Sequence, residues 1–149
     1  MIAGVTSPDP FNLQRFLDAQ EGIWETVLDE LRSGSKRSHW MWFVFPQLAG
    51  LGRSPTAKFY GIGSLAEARA YLDHRLLWPR LREANATLRP WAGKRTAEQI
   101  FGPVDALKLR SSLTLFDLVE AGSMFDEALV NFFAGARDEL TLALLQRQQ

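Results

Sequence analysis

Residues 35–63 read SKRSHWMWFVFPQLAGLGRSPTAKFYGIG and form the most aromatic part of the chain. They hold two of the five Trp, three of the ten Phe, one of the two Tyr and one of the two His. Because aromatic side chains dominate the buried area of small domains, we expect this stretch to form the centre of the core, with Trp42 and Phe43 largely buried. The run Trp40–Phe45 is apolar on every side, so its periodicity fits a buried helix or a buried strand.

The sequence around this stretch predicts helices. Ser64, Thr96 and Ser123 each precede an apolar run with helical spacing, as N-capping residues do, and Ser64 with Glu67 matches a capping box. No segment outside residues 35–63 alternates apolar and polar positions, and no Asn-Gly or Asp-Gly hairpin turn occurs. In this context we expect residues 40–45 to form a short helix that ends by Pro46.

We therefore expect a single compact all-α, multi-helix domain over residues 1–149, with little or no sheet. A chain of this length matches one ordinary domain, and its hydrophobic fraction of 46% supplies a core. Residues 1–8 are predicted to be a loose lead-in, and residues 146–149 a polar tail after a last helix that ends at about Leu145.

Charge and composition exclude several classes of function. The 17 basic residues balance 17 acidic ones, so no overall field attracts DNA or an anionic membrane, and we expect neither partner. Without cysteine the chain has no disulfide and no zinc site of the cysteine type. Its two histidines lack the spacing of a metal site, so no metal is expected. Because no secretory leader or membrane-spanning run is present, we expect a cytoplasmic protein.

Carboxylates accompany the helix predicted over residues 23–31. They fall mostly opposite the apolar positions of that helix, and they are Glu21, Glu25, Asp29 and Glu30. Charged outer faces are typical of amphipathic helices. We therefore interpret these carboxylates as a solvated face rather than as a catalytic acid and base.

The first candidate site lies in the aromatic stretch itself. His39 is predicted at the mouth of the aromatic cluster, where it could act as an acid or a base near neutral pH; alternatively it is a core-edge histidine bonded to a backbone carbonyl. Ser54 is placed to cap a helix that begins at Pro55, and the free amides there, with Arg53 and Lys58 nearby, form either an anion site or a plain helix start. Further ligand-binding candidates in the stretch are Lys36, Trp40, Gln47 and Tyr60.

The second candidate site is DALKLRSSLTLF, residues 105–116. Asp105, Lys108 and Ser112 share one face of the predicted helix, so Asp105 can hold Lys108 toward a polar pocket that also contains Ser111. The alternative is structural: hydroxyl groups such as those of Ser111 and Thr114, on an apolar helix face, can bond to the carbonyl four residues earlier.

The two stretches also carry a family resemblance. KRSHWMWFVFPQLAGLGRS, followed by DALKLRSSLTLF, resembles the bacterial and fungal domain-of-unknown-function family numbered 1810, from Asp9 through the final helices. The resemblance implies a mainly helical single domain and brings no established reaction or catalytic residue. Members of that family are sometimes labelled calpastatin; inhibitors of that type are disordered, whereas this chain is rich in core aromatics.

Two hypotheses of function follow. The first is a pocket for a small anionic or nucleotide-like ligand, built where the two stretches meet, because rings stack while cations and amides hold an anion. If the site is catalytic, its candidate groups are His39, Asp105 and Lys108. The second hypothesis is a non-enzymatic interaction module or a homodimer that uses an exposed aromatic helix face, with Trp24, Trp78 and Trp91 as anchors. The sequence specifies neither a reaction nor a cofactor.

Overall fold

The structure, a computed structural model, describes residues 8–148. Within this range the chain is helical and contains no strand, apart from one isolated bridge between Leu48 and Ile62. The helices are α1 (Gln14–Gln20), α2 (Trp24–Arg32), α3 (Met41–Val44), α4 (Pro55–Tyr60), α5 (Leu65–Asp73), α6 (Leu77–Leu88), α7 (Ala97–Phe101), α8 (Pro103–Val119), α9 (Met124–Phe133) and α10 (Glu139–Arg147). The prediction of a single compact all-α domain is confirmed.

The helix starts predicted from capping residues are also confirmed. The hydroxyl groups of Ser64, Thr96 and Ser123 each accept a hydrogen bond from an amide in the first turn of their helix. Such bonds satisfy amides that have no partner inside the helix. The capping box predicted at Ser64 is only half formed, because one carboxylate oxygen of Glu67 accepts from the amide of Gly63, at 2.9 Å, instead of from that of Ser64. The other oxygen binds the guanidinium of Arg15.

The run at residues 40–45 forms the predicted short helix, α3, but it buries different side chains from those expected. Trp40 and Phe45 are each 1% exposed, whereas Trp42 and Phe43 are only half-buried. Trp42 and Phe43 are thus less buried than Trp40 and Phe45, so the prediction that they are largely buried holds only in part. In so short a helix, Met41 and Val44 share the inner side with Trp40, which leaves the two intervening rings toward the surface.

Helix α8 is the central element of the domain. It contacts α3, α5, α7, α9 and α10, and its buried residues include Leu109, Leu113 and Phe116. Because residues 105–116 lie in this helix, the second candidate stretch runs through the middle of the fold and passes α3. This packing brings the two candidate stretches together.

The ends of the chain differ slightly from expectation. Helix α10 continues to Arg147, two residues beyond its predicted end at Leu145, so the predicted polar tail begins inside the last helical turn. The predicted lead-in at residues 1–8 lies outside the described residues except for Pro8. No helix within residues 8–148 is both long and apolar enough to cross a membrane.

Candidate ligand-binding groove

An open groove with aromatic walls lies between α3 and α4. It is a shallow depression of about 450 Å³, lined by His39, Trp42, Phe43, Pro55, Thr56, Phe59 and Tyr60. We call it the aromatic groove. The centre of the Tyr60 ring lies 5.3 Å from that of Phe43 and 4.8 Å from that of Phe59, which it meets edge-on. Phe59 is 55% exposed. The groove therefore offers ring faces and edges to solvent.

A buried carboxylate fixes the loop that leads into this groove. Glu30, in α2, is 6% exposed and accepts hydrogen bonds from the backbone amides of Arg37 at 2.7 Å and Ser38 at 2.9 Å. It also accepts from the hydroxyl of Ser38 and from the indole Nε1 of Trp40, the latter at 3.0 Å. Four donors converge on one side chain, so Glu30 sets the path of the chain on both sides of His39.

The solvated-face interpretation of the α2 carboxylates is wrong for Glu30. Glu21, Glu25 and Asp29 are exposed as expected, but Glu30 is buried. Burial by itself raises the pKa of Glu30, and the hydrogen bonds from Ser38, Arg37 and Trp40 outweigh it, so the pKa is lowered from 4.5 to about 2. The side chain is a carboxylate at neutral pH.

This lowered pKa predicts an acid-dependent loss of stability. Because the folded pKa lies below the unfolded value, the stability that Glu30 contributes is present above about pH 4.5 and is lost as the pH falls toward 2. Between about pH 5.5 and pH 3 we expect the free energy of unfolding of wild type to fall by about 2 kcal/mol relative to that of Glu30→Gln. Urea unfolding of both proteins across this range measures the difference. Parallel pH curves would contradict the prediction.

A second buried network holds the other wall of the groove. The guanidinium of Arg15, in α1, lies 2.7 Å from the carboxylate of Glu67 in α5, and both side chains are 8% exposed. Arg15 also donates to the carbonyls of Phe59 at 2.8 Å and Gly61 at 3.1 Å. These bonds fasten the end of α4, and with it the rings of Phe59 and Tyr60, to two other helices.

A cluster of two lysines and one aspartate borders Trp42. The ammonium of Lys36 lies 2.8 Å from Asp105, and that of Lys108 lies 3.3 Å from the same carboxylate. Lys108 also sits 4.6 Å from the centre of the Trp42 ring. The contact between Asp105 and Lys108 expected from the sequence is present. His39 and Lys108 both neighbour Trp42, so the two predicted stretches meet at this ring.

The chain matches a known protein family over most of its length. A family model described as "Protein of unknown function (DUF1810)" matches residues 10–145. The chain belongs to this family. The resemblance drawn from the two sequence stretches is thereby confirmed, and the DUF1810 description itself assigns no reaction.

A solved structure shares the DUF1810 fold seen here. It is that of the conserved hypothetical protein Rv1873 from Mycobacterium tuberculosis, with 52% sequence identity and a TM-score of 0.89. The similarity covers 93% of this chain and 99% of that one. No curated protein matches the chain.

Several of the residues predicted for the candidate site lie away from the groove. Trp40 is buried and its indole donates to Glu30, so it cannot stack on a ligand as predicted. The side chain of Lys36 is buried and does not line the groove, and its ammonium also donates to the carbonyl of Ser38. Gln47 is half-buried and lies beside Gly52, outside the groove lining.

The two serines of α8 that were predicted to bind a ligand lie outside the groove. The hydroxyl of Ser111 donates to the carbonyl of Leu107 at 3.0 Å, and that of Thr114 to Arg110 at 2.8 Å, as the structural alternative predicts. Ser112 is fully buried, and its hydroxyl has no hydrogen-bond partner within residues 8–148. Neither serine lines the aromatic groove.

The remaining predicted residues surround α4. Tyr60 lines the groove, while Arg53, Ser54 and Lys58 are exposed. The hydroxyl of Ser54 accepts from the amide of Ala57 at 3.1 Å, so it caps the helix as expected. These exposed groups lie in or next to the helix that forms one wall of the groove.

Sequence reasoning missed the two buried networks that hold the groove in shape. Arg15 stands between Leu13 and Phe16, both buried, which places a charged residue on the apolar face of its helix. Glu30 likewise stands directly before the buried Leu31. A charged residue at an apolar helical position was the available sign in both cases, since such a residue needs a partner.

Proposed function

We propose that the aromatic groove binds a small anionic ligand that carries a planar ring, as nucleoside phosphates do. The observation that supports this most directly is the grouping of Trp42, Phe43, Phe59 and Tyr60 around one open groove, with the ammonium of Lys108 against the Trp42 ring. Aromatic side chains accept planar ligands by stacking, and a neighbouring cation favours an anion.

The local charge balance supports an anionic ligand. Lys36 and Lys108 bring two positive charges to the single negative charge of Asp105, so the cluster keeps one positive charge. The side chain of Lys36 is 7% exposed and that of Lys108 is 21% exposed, so Lys108 is the more accessible of the two. Lys108 contacts the Trp42 ring but is not itself a groove-lining residue, so the proposal requires a ligand that extends past Trp42 toward it. Arg53, Ser54 and Lys58 are further candidate contacts on the α4 side.

The groove and its border also contain groups that are able to take part in a reaction. His39 is exposed in the groove and could exchange protons with a ligand, while Asp105 is shared by two ammonium groups. The groove is open to solvent, and an open site does not exclude the water that competes with many group-transfer reactions. We therefore propose binding as the function, with His39, Asp105 and Lys108 as the groups to test for a reaction.

The groove is favoured over an interaction surface built on the other tryptophans. Trp24 and Trp91 are half-buried and their indoles donate to Glu83 at 2.8 Å and to the carbonyl of Leu31 at 2.9 Å. Trp78 is half-buried and packs near Phe125. Each of these rings is engaged within the fold, which weakens the case for an interaction module or a homodimer anchored on them.

Isothermal titration calorimetry with adenosine monophosphate and adenosine tests the proposal. We expect Lys108→Met to weaken binding of the monophosphate about tenfold, the effect of one lost charge-assisted contact, and to leave adenosine unchanged. Trp42→Leu is expected to weaken both ligands, because both use the ring.

The matched control is Lys94→Met, which removes a lysine from the separate cavity beside Trp91. This variant is expected to bind both ligands as wild type does. An equal loss in the Lys94 and Lys108 variants would contradict the proposal, as would a wild type that binds neither ligand.

A further inference from the structure

We propose that His74 is a pH-dependent cap of α6: the neutral imidazole holds the first turn of the helix, and protonation of the imidazole releases it. His74 follows α5, which ends at Asp73, and precedes α6, which begins at Leu77. Its Nδ1 accepts hydrogen bonds from the backbone amides of Leu76 at 3.1 Å and Leu77 at 3.3 Å. His74 does not line the aromatic groove, so this proposal stands independently of the proposed function.

Helix α6 depends on His74 because its own N-cap residue, Leu76, has no side chain that can accept a hydrogen bond. The first amides of a helix have no partner inside the helix and need an acceptor from outside. At other helix starts within residues 8–148 that acceptor is an oxygen, from Ser54, Ser64, Thr96, Ser123 or Asp138. Such oxygens keep a lone pair near neutral pH, whereas an imidazole that takes a proton on Nδ1 can no longer accept.

The charged groups around His74 act in opposite directions. Burial lowers the pKa of His74, and the charges of Arg75 and Arg80 in and before α6 lower it further, while Asp9, before α1, raises it. Asp73, at the end of α5, lines the same cavity as His74 and Asp9. The net result is a pKa below the ordinary value of 6.5.

The sign of the pH dependence follows from this direction. Because the folded pKa lies below the unfolded value, the stability that the cap contributes is present above about pH 6.5 and is lost as the pH falls through the folded pKa of His74. A protonated ring would also place a positive charge at the N-terminus of α6, where the helix dipole disfavours it. Acid therefore favours release of the first turn.

Release of the cap changes the wall of an adjacent cavity. His74, Arg75 and Leu76 line a cavity of about 710 Å³ between the connection of α5 to α6 and the segment around α1. Leu76 is 42% exposed, whereas Leu77 is fully buried in the core. We therefore expect the released segment to end at Leu76, with α6 still packed from Leu77 onward, so the cavity changes shape while the domain stays folded.

An NMR titration of the intact protein from about pH 8 to about pH 5 tests the proposal. At the upper end we expect Nδ1 of His74 to be unprotonated in ¹⁵N spectra, with the proton on Nε2. On acidification the amide signals of Leu76 and Leu77 should shift with the same midpoint as the imidazole. Protection of the Leu77 amide against hydrogen exchange should fall roughly tenfold, the effect of losing its acceptor. The acid-dependent loss at Glu30 begins only below about pH 4.5, outside this range.

Variants at the two histidines separate the cap from other effects of pH. His74→Asn keeps a side-chain acceptor that does not titrate, so the Leu76 and Leu77 signals should become independent of pH. His74→Ala removes the acceptor and should show, at every pH, the weak protection that wild type shows in acid. His39→Asn changes the other histidine and should respond to pH as wild type does.

Three results would overturn the proposal. They are a proton on Nδ1 of His74 at about pH 8, amide signals of Leu76 and Leu77 that do not follow the imidazole, and a pH response of those signals that persists in His74→Asn. The first two are measured on wild type, so the proposal can fail even if a variant does not fold.

Discussion

Replacing Glu30 with alanine is expected to destabilise the protein by about 4 kcal/mol. The change leaves four donors, from Arg37, Ser38 and Trp40, without their carboxylate. A buried donor without an acceptor costs about 1–3 kcal/mol, and water can replace part of the loss at the outer residues of the loop. Chemical denaturation followed by circular dichroism measures the effect.

Glu30→Gln is the matched control for this change. Glutamine keeps an acceptor oxygen and the size of the side chain but loses the negative charge, so we expect a smaller cost of about 2 kcal/mol. The loop before α3 should loosen in both variants, and the affinity of the aromatic groove should fall with it, since a pre-organised site binds better. Equal stability of Glu30→Ala and wild type would show that Glu30 does not hold the loop.

Replacing Glu67 with alanine is expected to lower the free energy of unfolding by about 3–5 kcal/mol. Glu67 is the anionic partner of Arg15, and both side chains are buried. Removing one partner of a buried ion pair leaves an uncompensated charge in the interior. Because Arg15 also bonds to the carbonyls of Phe59 and Gly61, we expect the end of α4 to become mobile. Amide hydrogen exchange at Phe59 and Tyr60 would report that change.

The ion pair of Asp29 with Arg32 provides the control. Its distance, 2.9 Å, is close to the 2.7 Å of the Arg15 and Glu67 pair, but its side chains are 73% and 55% exposed. Exposed ion pairs contribute about 0–1 kcal/mol, so Asp29→Ala should have little effect. If Asp29→Ala and Glu67→Ala lower the free energy of unfolding by the same amount, burial does not increase the contribution of the Arg15 and Glu67 pair to stability.

Much of the fold was predictable because helix starts depend on local chemistry. Ser54, Ser64, Thr96 and Ser123 accept hydrogen bonds from amides two or three residues ahead, and that pattern is visible in any window of sequence. The end of α3 before Pro46 is equally local. These features required no knowledge of which helices pack together.

The inward side of α3 was not predictable from its sequence. Trp40 and Trp42 both lie in a run that is apolar on every side, so hydrophobicity ranks them equally. The two residues differ in their tertiary contacts: Glu30 accepts a hydrogen bond from the indole of Trp40, whereas Lys108 packs against the ring of Trp42. Neither partner belongs to the same helix as its ring: Glu30 lies in α2, ten residues before Trp40, and Lys108 lies in α8. The packing of α2 and α8 brings them to these rings.

The candidate site was predictable in part for the same reason. The contact between Lys108 and Asp105 follows from their spacing within one helix, and it is present. Phe59 was not singled out, because an exposed aromatic residue acquires meaning only when α3 lies opposite. The Arg15 network joins three segments, so no local pattern contains it.

The central claim, that the aromatic groove is a ligand site, is tested most directly by indole NMR. Spectra of wild type titrated with adenosine monophosphate compare Trp42, which lines the groove, with Trp40, two residues earlier and buried. We predict that the Trp42 indole signal shifts, together with the amides of His39 and Tyr60, and that the Trp40 indole stays in place. Shifts that avoid Trp42 and centre on another part of the surface would contradict the claim.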